Sequence, residues 1–158
     1  MNPQKKYDVF ISYSQADRII ADSICTYLEQ HHVRCFIDYR DIPKGERWAV
    51  AISEALRNSQ LMIAVISKDY NLSEQTDNEV TIAAHRHIPM LAFRIADADF
   101  NGLKEYYLTK SNWIDAFPEP EKKFGDLLKW VERVLNRNDV FISYSRKDIV
   151  FVNEICNA

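Results

Sequence analysis

Apolar residues in this chain cluster with two different periods, and the two alternate. The run YDVFIS at 7–12 is short, apolar and β-branched, which predicts a strand. Over 17–31, Ile20, Ile24, Tyr27 and Leu28 fall at helical spacing. VRCFID at 33–38 predicts a second strand, with Val33, Cys35 and Ile37 on one side. The loop YRDIPKGER follows, punctuated by Pro43 and Gly45. Trp48, Ala51, Ile52, Ala55 and Leu56 make the stripe of a second helix. LMIAVIS at 61–67 opens with six consecutive apolar residues, a pattern suited to a strand covered on both faces. A helix over 74–86, a strand over 88–95, a short strand within YYLTKSNWIDA and a last helix over 119–136 complete the order.

Alternation of this kind, with short connections, predicts parallel strands joined by right-handed crossovers. The expected fold is an α/β, flavodoxin-like open sheet of five parallel strands with helices on both faces. Ligands of such sheets bind at the carboxyl ends of the strands, near the point where strand order reverses. Those ends carry SYS at 12–14, DYRDIPKG at 38–45 and SKDY at 67–70.

The segment DVFISYS occurs twice, at 8–14 and 139–145. At the same offset Asp17 matches Asp148, Ile24 matches Ile155 and Cys25 matches Cys156. The period is about one domain, too long for a solenoid repeat. The expected organisation is one complete domain over 1–136 and the opening strand and helix of a second, truncated copy over 137–158.

Composition narrows the function. The 158 residues are 47% hydrophobic, enough for a packed core. A net charge of −3 with scattered basic residues gives no electrostatic footprint for nucleic acid. No apolar stretch approaches the roughly 20 residues that span a bilayer. The start MNPQKKYDVF lacks a signal-peptide apolar region, and the cysteines number only three, so a cytoplasmic location is expected, with neither nucleic acid nor membrane as partner. Metal binding is not expected: His31 and His32 are adjacent, His85 and His87 are two apart, and no cysteine pair has ligand spacing. Three glycines, Gly45, Gly102 and Gly125, make no dinucleotide fingerprint. Neither an acidic pair closing the first strand nor a Ser-His-Asp elbow is present.

YDVFISYSQAD at the first strand, FIDYRDIPKGERW at the second strand and its loop, and NWID near the last strand resemble the three sequence boxes of the Toll and interleukin receptor (TIR) domain. The resemblance covers about residues 6–136 and implies a five-stranded parallel sheet. It also implies one of two functions. Some TIR domains are non-catalytic interaction modules that work by assembling with other TIR domains. Others, of the bacterial and plant kind, cleave NAD⁺ at the nicotinamide–ribose bond, giving nicotinamide and ADP-ribose or a cyclic isomer. In the enzymes a neighbour's loop completes the pocket. The resemblance to the bacterial kind implies a hydrolase acting in immune or antiphage signalling, with NAD⁺ as substrate, no bound cofactor, and self-association through TIR–TIR contacts.

The resemblance places the catalytic carboxylate at Glu79, within NLSEQTDNEV after the third strand. Spacing alone offers a second role: TDNE at 76–79 fits a capping box, with Thr76 as N-cap and Glu79 reaching back to its amide. Many enzymatic relatives carry Trp four residues before this Glu; here the position is Gln75, so the resemblance implies a stacking surface that is either missing or supplied by Tyr70 or Phe36. Ser12 and Ser14 are expected near the ribose and phosphates, although Ser14 equally suits a helix cap. Phe36 and Asp38 correspond to positions lining the nicotinamide side, with Phe36 equally suited to the core. Arg40 and Gly45 lie in the loop that gates the pocket and contacts neighbouring subunits, where Asp41 reads as an ordinary turn residue. Ser67 ends the third strand beside the same site, and Trp48 reads as core.

Overall fold

A computed structural model describes residues 5–136. The chain divides into two compact units, Met1–Leu127 and Leu128–Ala158. The first holds the whole sheet; the described part of the second is the continuation, over 128–136, of a helix that begins at residue 124. The expected second copy at 137–158 lies outside the described residues.

The strands are β1 (Tyr7–Ser12), β2 (Cys35–Phe36), β3 (Ser59–Ile66), β4 (Met90–Arg94) and β5 (Asn112–Asp115). They form one sheet in the order β2-β1-β3-β4-β5, every pair parallel. This is the expected flavodoxin-like order, with its switch point at β1 and β3. The long helices are α1 (Arg18–Gln30), α3 (Trp48–Arg57), α5 (Glu74–His85) and α7 (124–136). Three short ones lie between them: α2 (Asp38–Asp41), α4 (Lys68–Leu72) and α6 (Gly102–Leu108).

Side-chain alternation along the strands sorts the core into two layers. Phe10, Met62, Ala64, Ile66 and Ala92 face Ile52 and Leu56 of α3, Val80 and Ala83 of α5, and Leu108 of α6. Val9, Ile11, Ile63, Val65 and Phe93 alternate with them and are also buried, as are Ile24 and Leu28 of α1. On that second face Phe124 packs against Tyr27 and Phe93, at centroid distances of 5.3 and 6.1 Å. Ser12 is two residues beyond Phe10 and pairs with Ala64, so it points into the α3–α5–α6 layer. The strand pattern thus aims a serine hydroxyl, at the switch point, toward α5.

Two expectations are corrected, the length of the second strand and the burial of Trp48. The strand expected over 33–38 is a two-residue strand; Ile37 then starts the turn of α2, where Ile42 N donates to Asp38 O at 3.0 Å. Val33, Cys35, Phe36 and Ile37 are all buried, so their apolar run reports burial rather than strand length. The short strand expected within YYLTKSNWIDA is β5, and the Tyr106–Leu108 part of that stretch ends α6. Trp48 is 41% exposed rather than core: it is the first residue of α3, and the buried stripe begins a turn later at Ile52.

Candidate functional site

Glu79 does not cap its own helix. Ser73 takes that place, with Oγ accepting from Thr76 N at 3.3 Å. Thr76 turns its hydroxyl inward and donates to the carbonyls of Tyr70 (2.9 Å) and Ser73 (3.0 Å). Glu79, in the second turn, is freed to face the sheet. Its side chain is buried, at 2% exposure. Oε1 accepts from Ser12 Oγ at 2.7 Å and Oε2 from Gln75 Nε2 at 3.0 Å. Tyr70 Oη lies 2.8 Å from Ser12 Oγ. A serine hydroxyl has one proton, which Ser12 gives to the carboxylate, so Tyr70 is the donor to Ser12. The result is a directed chain, Tyr70 to Ser12 to Glu79, built from β1, α4 and α5.

Burial pushes the Glu79 carboxyl up to about 7. The hydrogen bonds from Ser12 and Gln75 oppose that rise, the Asp38 charge adds to it, and the Lys104 charge opposes it. Burial likewise raises the Tyr70 phenol above its ordinary range, so it remains a proton donor to Ser12.

Asp38 is the second buried carboxylate, at 4% exposure. Its Oδ1 accepts from Tyr13 Oη at 2.5 Å and from Tyr39 N at 2.6 Å. Its Oδ2 accepts from Gln15 Nε2 at 3.3 Å and lies 3.5 Å from Gln75 Nε2. Burial, then the bond to Asp38, raises the Tyr13 phenol. Gln75 therefore touches both carboxylates.

The remaining expected residues divide. Ser67 is the N-cap of α4, accepting from Tyr70 N at 3.1 Å, and its hydroxyl donates to Asp17. Burial raises the Asp17 carboxyl and the Ser67 bond opposes this. Ser14 caps a 3-10 turn, Gln15–Asp17, through Ala16 N at 3.4 Å, which is the capping alternative. Phe36 takes its core alternative: its ring stacks on Phe10 at 5.0 Å and meets Tyr7 edge-on at 5.3 Å. Arg40 is held by Glu29 at 2.9 and 3.0 Å, by Asp41, and by the Cys35 carbonyl at 3.0 Å. Asp41, the last residue of α2 rather than an ordinary turn residue, also accepts from Ile37 N at 2.9 Å. Gly45 has φ +89° in an exposed turn, a conformation that favours glycine. Thus Ser12, Asp38, Tyr70 and Glu79 come together, Ser67 adjoins them through the start of α4, and Phe36 and Arg40 serve the scaffold.

Sequence reasoning missed Lys104. Its side chain has 0% exposure. Nζ donates to Asp77 Oδ1 at 2.6 Å and to the carbonyls of Ser73 (3.2 Å) and Asn71 (3.4 Å), and it lies 5.1 Å from the Tyr70 ring centroid. The cation thereby pins the α4–α5 junction beneath Tyr70. Nothing in the local pattern LKEYY marks this lysine as buried; only tertiary placement does. Among the described residues, no group of three or more His, Cys, Asp and Glu could hold a metal ion, and no helix is long and apolar enough to cross a membrane.

The fold is similar to solved TIR structures. The TIR domain of the Toll-related receptor TRR-2 from Hydra magnipapillata superposes with a TM-score of 0.68 at 22% identity, over 80% of this chain and 99% of that one. A TIR-STING receptor from C. gigas gives 0.66 at 18% identity, over 83% of this chain and 42% of that longer one. The TIR domains of the activated Roq1 resistosome, which recognises the pathogen effector XopQ, give 0.53 at 20% identity, over 82% and 81%. No curated protein matches the chain at a significant level. Residues 9–128 match the sequence profile of the TIR domain, and the chain belongs to that family.

Proposed function

We propose that this TIR domain is an NAD⁺ nucleosidase, cleaving the nicotinamide–ribose bond to release nicotinamide and ADP-ribose or a cyclic isomer of it. One observation carries the reading. Glu79 is a buried carboxylate at the switch-point end of the sheet, held by Ser12 and Gln75 rather than spent on its own helix.

The chemistry fits a single working carboxylate. Ordinary glycosidases need a general acid because an alkoxide must be protonated as it leaves. Nicotinamide leaves NAD⁺ neutral: the C–N bond breaks, its electron pair goes to the ring nitrogen, and the positive charge passes to the ribose. A fixed carboxylate offsets that charge and orients the ribose hydroxyls. Water then forms the new C–O bond and gives up a proton, which a carboxyl raised to about 7 is suited to accept. If adenine of the same NAD⁺ attacks in place of water, the product is cyclic. Asp38 serves the nicotinamide side.

The domain acts in assemblies of TIR domains within immune signalling, and the likeness to a resistosome that recognises a pathogen effector supports this setting. The test is incubation of the concentrated chain with NAD⁺, with chromatography for nicotinamide, beside Glu79→Ala. Product from the wild type alone is expected. Equal product from both removes Glu79 from the mechanism; none from either, under crowding, favours the non-catalytic interaction module.

A further inference from the structure

Gln75 occupies a particular place, between two buried carboxylates. Its amide nitrogen donates to Glu79 at 3.0 Å and lies 3.5 Å from Asp38, so two carboxylate oxygens face each other across one nitrogen. Both carboxylates are buried, whereas Gln75 is only half-buried. It stands in the first turn of α5, one turn before Glu79 on the same face. Its side chain, with three rotatable bonds, can reach solvent by rotation alone.

A pair of carboxylates presents only acceptors, so what lies between them must donate hydrogen bonds. A carboxamide NH₂ offers two N–H donors from one atom; the vicinal hydroxyls of a ribose offer two O–H donors side by side. The same acceptors suit either. We propose that Gln75 is an internal latch: its amide holds the place between Glu79 and Asp38 that the ribose diol of a substrate must enter, and the site opens when that one side chain swings out. The inference rests on the reading of Glu79 as the ribose-facing carboxylate. It adds that the ground state is closed by an intramolecular mimic of the substrate, and that binding begins with breaking a charge-assisted hydrogen bond. That bond limits access by about tenfold or more.

The test uses the full chain with Gln75→Ala, and with Gln75→Asn, whose amide is one methylene too short to serve both carboxylates. Glu79 is coupled to glycine ethyl ester with a water-soluble carbodiimide and read by peptide mass, and nicotinamide release from NAD⁺ is followed in parallel. The latch predicts Glu79 labelling raised about tenfold in both variants, with KM for NAD⁺ lowered. Labelling at the wild-type rate in both variants overturns the latch. Labelling that rises while KM also rises overturns it too, because Gln75 then holds substrate. Labelling that rises with no nicotinamide from any of the three proteins supports the latch and overturns the NAD⁺-cleaving reading instead.

Discussion

Ser12 and Glu79, 67 positions apart in the chain, are joined by a 2.7 Å hydrogen bond inside the protein. Ser12 gives its proton to the carboxylate and receives one from Tyr70. Ser12→Ala removes both bonds at once. The buried Tyr70 hydroxyl loses its acceptor, so stability should fall by about 1–3 kcal/mol, read from the urea midpoint. The carboxyl loses a bond that opposes its upward shift, so it titrates higher still. In the pH dependence of nicotinamide release, the acid limb should therefore move to higher pH. A limb that stays in place would mean that Ser12 does not act on Glu79.

Lys104 is expected to matter without touching substrate. Its ammonium satisfies the carbonyls of Asn71 and Ser73 and pairs with Asp77. Lys104→Met keeps the bulk of the stem but strands those acceptors. The half-buried Asp77 can recover water, so a loss of about 2 kcal/mol is expected, below that of a fully buried broken pair. The charge also opposes the rise of the Glu79 carboxyl, so the same variant should move the acid limb upward. Loss of stability with an unmoved pH profile would confine Lys104 to the scaffold.

Phe36 separates packing from binding. Its ring is wedged between Phe10 and Tyr7 in the core. Phe36→Ala should cost about 3–5 kcal/mol, and Phe36→Leu much less because volume is nearly kept. With Phe36→Leu, KM for NAD⁺ should stay at the wild-type value. A raised KM in a protein of unchanged unfolding midpoint would return Phe36 to the pocket.

Much of this was legible in the chain, and the residues that were not share a cause. The apolar run LMIAVI suits a strand covered on both faces, and β3 sits in the sheet between β1 and β4. The polar residues after β1 and β3 had to fall on one edge, because parallel strands put their carboxyl ends together. Spacing gave Glu79 a capping role and the resemblance a catalytic one, and the capping role fails at Thr76, because Ser73 is the N-cap. The Thr76 hydroxyl finds the local Ser73 carbonyl and also the Tyr70 carbonyl, which the turn from α4 into α5 presents. Lys104 and Trp48 fail in opposite directions for the same reason. Composition favours an exposed lysine and a buried tryptophan, but here tertiary placement buries the cation among carbonyls and leaves the ring at a helix start. Gln75 was read only for the stacking surface it lacks; its bond to Glu79 could not be seen without the orientation of the carboxylate.

Glu79 should make stability fall as pH rises from about 4.5 to about 7. Its carboxyl, ordinarily at 4.5, is raised to about 7 in the folded protein, chiefly by burial. Facing it are the Ser12 hydroxyl, the Gln75 amide, the Asp38 carboxylate and, from α6, the Lys104 ammonium, and the balance of these still leaves the neutral form favoured. Between those two values the folded state holds a proton that the unfolded chain has released, so each step up in pH favours unfolding. The difference, fully developed above pH 7, is on the order of 3 kcal/mol. Glu79→Gln is neutral at every pH and escapes it. Urea midpoints taken at about pH 5 and pH 8 should therefore show the variant gaining on the wild type at the higher pH. A constant offset between the two proteins would mean that the carboxyl ionises as it does in water, and a site that leaves it so could not give a base poised near neutrality.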